Sequence, residues 1–253
     1  MAKRKNTNKE IVLNDMPVRL YIKELNTDNF VPLISVLGCG GTGSYVLSNL
    51  ARINATLRLL GRPGFNVIAS DNDLVSEYNI GRSMFSHADI GDRKSSVLIS
   101  RINRFYGFNW KVSEDDTFGA NIIISCVDTI KARERIIKNL RFNSTYGYDY
   151  TKSYIYIDCG NAEYFGHCYY QTEGKPSILD IFKSRNNGVL PKDDKTKPSC
   201  SMREALMSQS MNINMSIGMM VSKFIEETFD IGINYNFLEF NIDSFTTNKK
   251  NVL

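Results

Sequence analysis

A mostly parallel α/β sheet flanked by helices, with antiparallel strands added in the C-terminal half, is the fold class that three features of the sequence predict. Two short β-branched runs, VPLISVLG (31–38) and FNVIASD (65–71), are each followed by a longer segment with apolar residues at helical spacing. A third run, NIIISCVD (121–128), is nearly continuously apolar, as suits a central strand buried on both faces. Between the first run and its helix stand Gly38, Gly40, Gly41 and Gly43, a turn rather than a continuation of either element.

Taken in order, residues 1–10 read as a polar tail and IVLNDMPVRLYIKEL (11–25) as a short strand or helix ahead of the main fold. After the glycines, Val46, Leu47, Leu50 and Ile53 recur at helical spacing. DRKSSVLISRINRF (92–105) reads as an amphipathic helix with Val97, Leu98, Ile102 and Phe105 on one side, and TIKARERIIKNL (129–140) as a charged one. SYIYIDCG (153–160) is strand-like, and EYFGHCYYQ (163–171) is expected to pair with it in antiparallel fashion. Residues 172–201, rich in Gly, Pro, Lys, Asp and Ser, read as a long mobile loop, a rarity unless it is functional or disordered. A Met-rich helix follows over about 202–228, its methionines expected to fill core gaps, and NFLEFNIDSF (236–245) is expected as the last strand. A chain of 253 residues fits one embellished domain. The expected division is an N-terminal tail and dimerisation arm over 1–25 and a nucleotide-binding domain over 26–253.

Composition narrows the function classes. No apolar run reaches the ~18 residues a membrane span needs, and the basic MAKRKNTNKE start lacks the apolar segment of a signal peptide, so a cytoplasmic protein with no membrane partner is expected. The net charge of +4 is modest and dispersed, which gives nucleic-acid binding no support. Five cysteines without a C-x-x-C pair suggest neither a disulfide framework nor a four-thiolate zinc site. His87 and His167 lack partners at metal-ligand spacing.

The glycine turn carries chemistry. Gly38-Cys39-Gly40-Gly41-Thr42-Gly43 has the G-x-G-x-x-G spacing with one further glycine, directly after a strand and opening a helix. Glycines let backbone N–H groups approach phosphates, and the helix N-terminus adds partial positive charge. This is a Rossmann-like nucleotide site, and such turns serve NAD, FAD or SAM as well as ATP. Asp71 closes the second strand, where a carboxylate accepts from ribose hydroxyls or merely caps the strand end. It lies about 30 residues past the glycines, against about 20 in dinucleotide enzymes, which argues against NAD.

The segment SDNDLVSEYNIGRSMFSHADIGDRKSSVLISRIN (70–103) is the most informative. Asp71, Asp73, Val75, Asn79 and Arg82, then Asp89, Gly91 and Lys94, then Arg101 and Asn103, stand in the order D-x-D-x-V-x-x-x-N-x-x-R, D-x-G-x-x-K, R-x-N. In this the chain resembles the ThiF, MoeB and ubiquitin-activating family of adenylyltransferases, over about residues 30–140. The resemblance implies ATP and Mg²⁺, with Asp71 and Asp73 at the nucleotide, Asn79, Arg82 and Lys94 on the phosphates, and Asp128 at the metal. The bland alternatives are solvated surface charges for Arg82 and Lys94 and a helix N-cap for Asp128. The chemistry accounts for such a set: a carboxylate attacking the α-phosphorus brings anions together, which cations must neutralise.

The resemblance also implies a substrate, the C-terminal carboxylate of a small ubiquitin-like or sulfur-carrier protein, and a homodimer, with Arg19 as a candidate arginine supplied across it. Many members continue by thioester formation on a loop cysteine. Cys200, in Lys197-Pro198-Ser199-Cys200 ahead of the Met-rich helix, holds that place, and its basic neighbours Lys195, Lys197 and Arg203 favour a thiolate. Cys39, Cys126, Cys159 and Cys168 read instead as small buried hydrophobes. The C-x-x-C pairs that hold zinc in ThiF and MoeB are missing, so a metal-free back half is expected. The competing functions are a non-catalytic scaffold that binds ATP or a partner, and an NAD-dependent oxidoreductase on the same fold.

Overall fold

The computed structural model describes residues 30–114, 120–140, 155–162, 164–193, 210, 212–230, 233 and 235–250. Within them the chain forms one eight-stranded sheet in the order β3-β2-β1-β4-β5-β6-β7-β8. β1 (Leu33–Leu37) lies between β2 (Asn66–Ser70) and β4 (Ile122–Ser125), parallel to both, with Ile34 opposite Val67 on one side and Ile122 on the other. β3 (Lys111–Ser113) extends the parallel half beyond β2, and β5 (Ile155–Asn161) extends it beyond β4. β6 (Phe165–Gln171), β7 (Phe237–Asn241) and β8 (Thr246–Lys250) continue as antiparallel neighbours. The expected fold class is the one formed.

Helices cover both faces. α1 (Gly41–Leu59), α2 (Lys94–Tyr106) and α5 (Ile213–Phe229) share one core with the sheet, in which Val36, Val67 and Ile124 meet Leu47, Leu50, Leu98, Ile217 and Phe224. α3 (Ile130–Asn139) and α4 (Ile178–Arg185) cover the other face, through Ile136 on Leu37 and Tyr156, and Ile178 on Tyr169 and Phe237. β4 is buried at every residue because it is central and covered on both sides, which explains its unbroken apolar run. Each such side chain contributes about 1.5–3 kcal/mol. α5 approaches α1 closely because Gly218 has no Cβ, which would stand 2.9 Å from the Cβ of Tyr45.

Several expectations change. Phe105 is 79% exposed; α2 buries Ser95, Leu98, Ile99 and Ile102 instead, and Phe105 packs edge-on against Tyr106. Residues 172–201 are not loop throughout, since Ile178–Arg185 is helical with a capping box in which Ser177 and Asp180 bond reciprocally. The last expected strand stops at Asn241, Ile242–Phe245 form a turn, and the chain returns as β8, whose polar TTNKK carries no alternation to betray it. The late methionines divide: Met220 is buried, whereas Met215 and Met219 are exposed. The start expected near 202, the tail and arm over 1–25, and Arg19, Lys195, Lys197, Cys200 and Arg203 lie outside the described residues.

Candidate functional site

The chain runs from β1 outward through β2 and β3, then returns to β4 on the other side of β1. Loops leaving the C-terminal ends of β1 and β4 therefore diverge and open a crevice, the general ligand position of open α/β sheets. A cleft of about 320 Å³ occupies it. Gly38, Gly40, Gly41 and Thr42 line it from β1, Ser70 to Asp73 from β2, Cys126 to Asp128 from β4, and Cys159 and Asn161 from β5. Arg82, Lys94, Ala132, Arg135 and Asn214 complete the wall.

The glycine turn is held by close approaches. Gly38 has φ +89° and its missing Cβ would lie 2.9 Å from the carbonyl oxygen of Cys126, so only glycine joins β1 to β4 here. At Gly43 a Cβ would fall 1.9 Å from the carbonyl oxygen of Gly38. Gly43 thus serves the packing of helix on turn and does not line the cleft. Gly40 meets nothing within 4 Å, leaving its backbone open to the cleft. α1 has no acidic residue in its first turn, and its leading N–H groups keep their partial positive charge for an anion.

Asp71 is tied to that turn: its Oδ2 accepts from Cys39 N at 2.5 Å and its Oδ1 from Asp73 N at 2.8 Å. Each carboxylate oxygen retains a lone pair for a ribose hydroxyl. Lys94, 8% exposed at the start of α2, directs Nζ to Asp73 Oδ2 at 2.9 Å. Arg82 donates from Nε to Tyr78 O at 3.1 Å. Asp128 stands exposed on the cleft wall beyond β4. It is not the cap of α3, because Thr129 is the N-cap and accepts from Ala132 N, while Asp193 accepts from Ile130 N and Lys131 N.

The remaining motif residues stand behind the wall. Asn79 Oδ1 accepts from Ser76 N and Ser76 Oγ, closing a 3-10 turn over Glu77–Asn79; it does not line the cleft. Asp89 accepts from Ser86 N and from Arg101, whose other nitrogen reaches Met84 O at 2.7 Å. Desolvation works against the Asp89 carboxylate, but the hydrogen bonds from Arg101 and Ser86 outweigh it and hold the pKa below the ordinary 3.8. Asn103 bonds the backbone of Trp110 in both directions.

Cys39, Cys159 and Cys168 are buried and Cys126 half-buried. Burial pushes the thiols of Cys39 and Cys159 well above the usual range, and the hydrogen bond to Cys159 together with burial does the same for Cys126. All three stay protonated and unreactive near neutrality. Beneath β5, Asp158 pairs with Arg133 Nε at 3.1 Å and accepts from Tyr156 OH at 2.9 Å. His167 stacks on Phe237, and His87 is exposed. Among the described residues no group of three or more His, Cys, Asp or Glu is placed to hold a metal, and no helix is long and apolar enough to cross a membrane.

Gly38, Gly40, Gly41, Asp71, Asp73, Arg82, Lys94 and Asp128, all expected from sequence, thus meet in one cleft. Thr42, Arg135, Asn161 and Asn214 also line it and were not anticipated. Thr42 carried a signal in its place within the glycine motif, whereas Arg135 lies one turn beyond Ala132 on a side of α3 that the sequence does not mark. Nothing local distinguishes Asn161 or Asn214.

Comparison with known proteins agrees with this architecture. A family model described as the ThiF family matches residues 31–252. Among solved structures the chain is similar to E. coli MccB with ATP, at 18% identity and TM-score 0.56, covering 92% of this chain and 66% of that one. It is similar to the microcin C7 biosynthetic enzyme MccB in complex with N-formylated MccA, at 15% identity and TM-score 0.58, covering 92% and 67%. It is also similar to PaaA, at 16% identity and TM-score 0.59, covering 93% and 76%. The chain thus spans about two thirds of the length of the MccB structures. No curated protein matches it in sequence.

Proposed function

The chain belongs to the ThiF family, and from that premise we propose that it is an adenylyltransferase that binds ATP in the cleft beyond β1 and β4 and adenylates a carboxylate. The observation that carries this reading is the convergence of a glycine turn, a helix N-terminus, Asp71, Arg82, Lys94 and Asp128 on one cleft. MccB, of similar fold, is solved with ATP and with MccA, which supports a nucleotide together with a small partner chain.

In this reading Asp71 holds the ribose through its free lone pairs, while the α1 N-terminus and the open backbone at Gly40 take the phosphates. Arg82 and Lys94 neutralise the charge that grows as a carboxylate oxygen attacks the α-phosphorus and pyrophosphate leaves. Lys94 must exchange Asp73 for phosphate to do so. Mg²⁺ fits the residues present, since it needs only one or two carboxylates beside phosphate oxygens and water, and Asp128 is exposed on the wall to provide one. That ion would supply charge compensation for the leaving pyrophosphate.

The substrate in this proposal is the C-terminal carboxylate of a small ubiquitin-like or sulfur-carrier protein. In a second step the Cys200 thiolate attacks the carbonyl carbon of the acyl-adenylate, forming a thioester as the acyl–phosphate bond breaks and AMP leaves. The protein works as a cytoplasmic homodimer through its 1–25 arm. The burial of Cys39, Cys159 and Cys168 and the half-burial of Cys126 support giving the nucleophile's role to Cys200.

ATP–pyrophosphate exchange, measured with Gly-Gly-ended small proteins encoded beside the gene, tests the reading. Exchange stimulated by one of them, and lost in Arg82→Ala and Asp128→Ala with the fold retained, is the expected result. ATP binding without exchange would leave the scaffold as the better account. Protection from heat by NAD instead of ATP would favour the oxidoreductase. A thioester that persists in Cys200→Ala would remove Cys200 from its role.

A further inference from the structure

Asn214, in the first turn of α5, is 2% exposed and touches three segments remote from it in sequence. Its Nδ2 donates to Arg82 O at 3.3 Å. Its Oδ1 accepts from Thr42 Oγ1 at 3.0 Å and from Asn161 Nδ2 at 2.6 Å. The orientation of the amide is fixed chemically: a backbone carbonyl only accepts, so nitrogen must face Arg82 and oxygen must face the two donors. The contact with the glycine turn is equally close, because a Cβ on Gly41 would stand 2.4 Å from Asn214 Nδ2.

We propose that Asn214 is the positioning residue of the phosphate site, setting Arg82 against the N-terminus of α1 by one buried amide. The glycine turn follows β1 and the Arg82 loop follows β2, and the pairing of these strands ends at Leu37 and Ser70. Beyond it Met84 N donates to Ser44 Oγ at 3.1 Å, and Asn214 holds Arg82 itself to the start of α1, with Asn161 bracing it from the end of β5. Charge matters as much as shape. A neutral amide both donates and accepts here without adding negative charge to a wall that faces phosphates. A carboxylate at this position would have no hydrogen for Arg82 O and would repel both that carbonyl and the ligand.

The inference rests on the adenylation reading for its ligand, so its test has one arm that needs ATP and one that does not. In the full chain, calorimetry with ATP and Mg²⁺ is expected to show binding weakened about 10-fold in Asn214→Ala, the loss of a buried hydrogen-bond pair. Asn214→Asp is expected to be weaker still. Thr42→Ser, which keeps the hydroxyl, is expected to stay within about 2-fold of wild type, and Thr42→Val to fall between. In an Arg82→Ala background the Asn214→Ala effect should shrink to under about 2-fold, because the residue acts through Arg82. A general loss of stability would not produce that non-additivity.

Hydrogen exchange of the ligand-free protein is the second arm. Amides 40–42 and 82–84 should exchange faster in Asn214→Ala and Thr42→Val, with the sheet amides unchanged. Unaltered ATP affinity in Asn214→Ala, or full additivity with Arg82→Ala, would overturn the proposal. If the wild-type protein binds no ATP, the adenylation reading fails by itself. The exchange arm then decides, and unchanged protection at 40–42 and 82–84 overturns the role of Asn214.

Discussion

Lys94 Nζ lies 2.9 Å from Asp73 Oδ2, and the two are unequally buried, with 10% of the lysine side chain exposed against 74% of the aspartate. The cation belongs to the cleft wall, and its counter-ion stands in solvent. An exposed partner adds little stability, about 0–1 kcal/mol, and is cheaply displaced. Lys94→Ala should therefore leave Tm nearly unchanged, the abandoned Asp73 being solvated, while ATP–pyrophosphate exchange falls by about 10²-fold or more. A melting curve and an exchange assay on one preparation check both halves.

Gly43→Ala should act on the fold. Its new Cβ would meet the carbonyl oxygen of Gly38 at 1.9 Å, and backbone does not yield as a side-chain tip does. A loss of about 1–3 kcal/mol is expected, typical of overpacking, which at about 2–4 °C per kcal/mol for a chain of this size is a clear fall in Tm. Gly40→Ala, with nothing within 4 Å, should melt like wild type and weaken only nucleotide binding.

Arg133→Met should destabilise strongly. Asp158 is fully buried and held ionised: desolvation opposes its charge, but the Arg133 guanidinium beside it, with His167 and Tyr156, keeps its pKa below the ordinary range. Removing the arginine strands a buried carboxylate, at a cost of about 3–5 kcal/mol. Arg133→Met with Asp158→Asn should recover part of that loss, and urea unfolding of the single and double variants measures it.

The Asp89 carboxyl sets a pH dependence of known sign. Its folded pKa lies below 3.8, so on acidification the unfolded chain takes up a proton first. The stabilisation is complete above pH 3.8 and is lost as pH falls through the folded value. Asp89→Asn should lower the urea midpoint at neutral pH, and the gap from wild type should close below pH 3.8. A gap that stayed constant to low pH would show that Asp89 gains nothing from its charge.

The sequence by itself determined the parallel core and most of the cleft. β4 announces itself because a strand buried on both faces is apolar, β1 and β2 by their short β-branched runs, and the glycines mark a turn where backbone approaches backbone. Asp71, Asp73, Arg82, Lys94 and Asp128 were legible through the resemblance to the ThiF family, whose motif sets them in order along the chain. Local order could not reveal β8, whose polar edge is held by pairing with β7 and by the contacts of Lys249 with Tyr235 and of Lys250 with Glu239. Nor could it separate Asn79 and Gly43, which support the wall from behind, from residues that face the cleft. Only the tertiary structure brought Asn214 across 172 residues to Thr42 and across 132 to Arg82. A buried amide is specified by the partners that satisfy it, and those partners meet only when the sheet, α1 and α5 have packed.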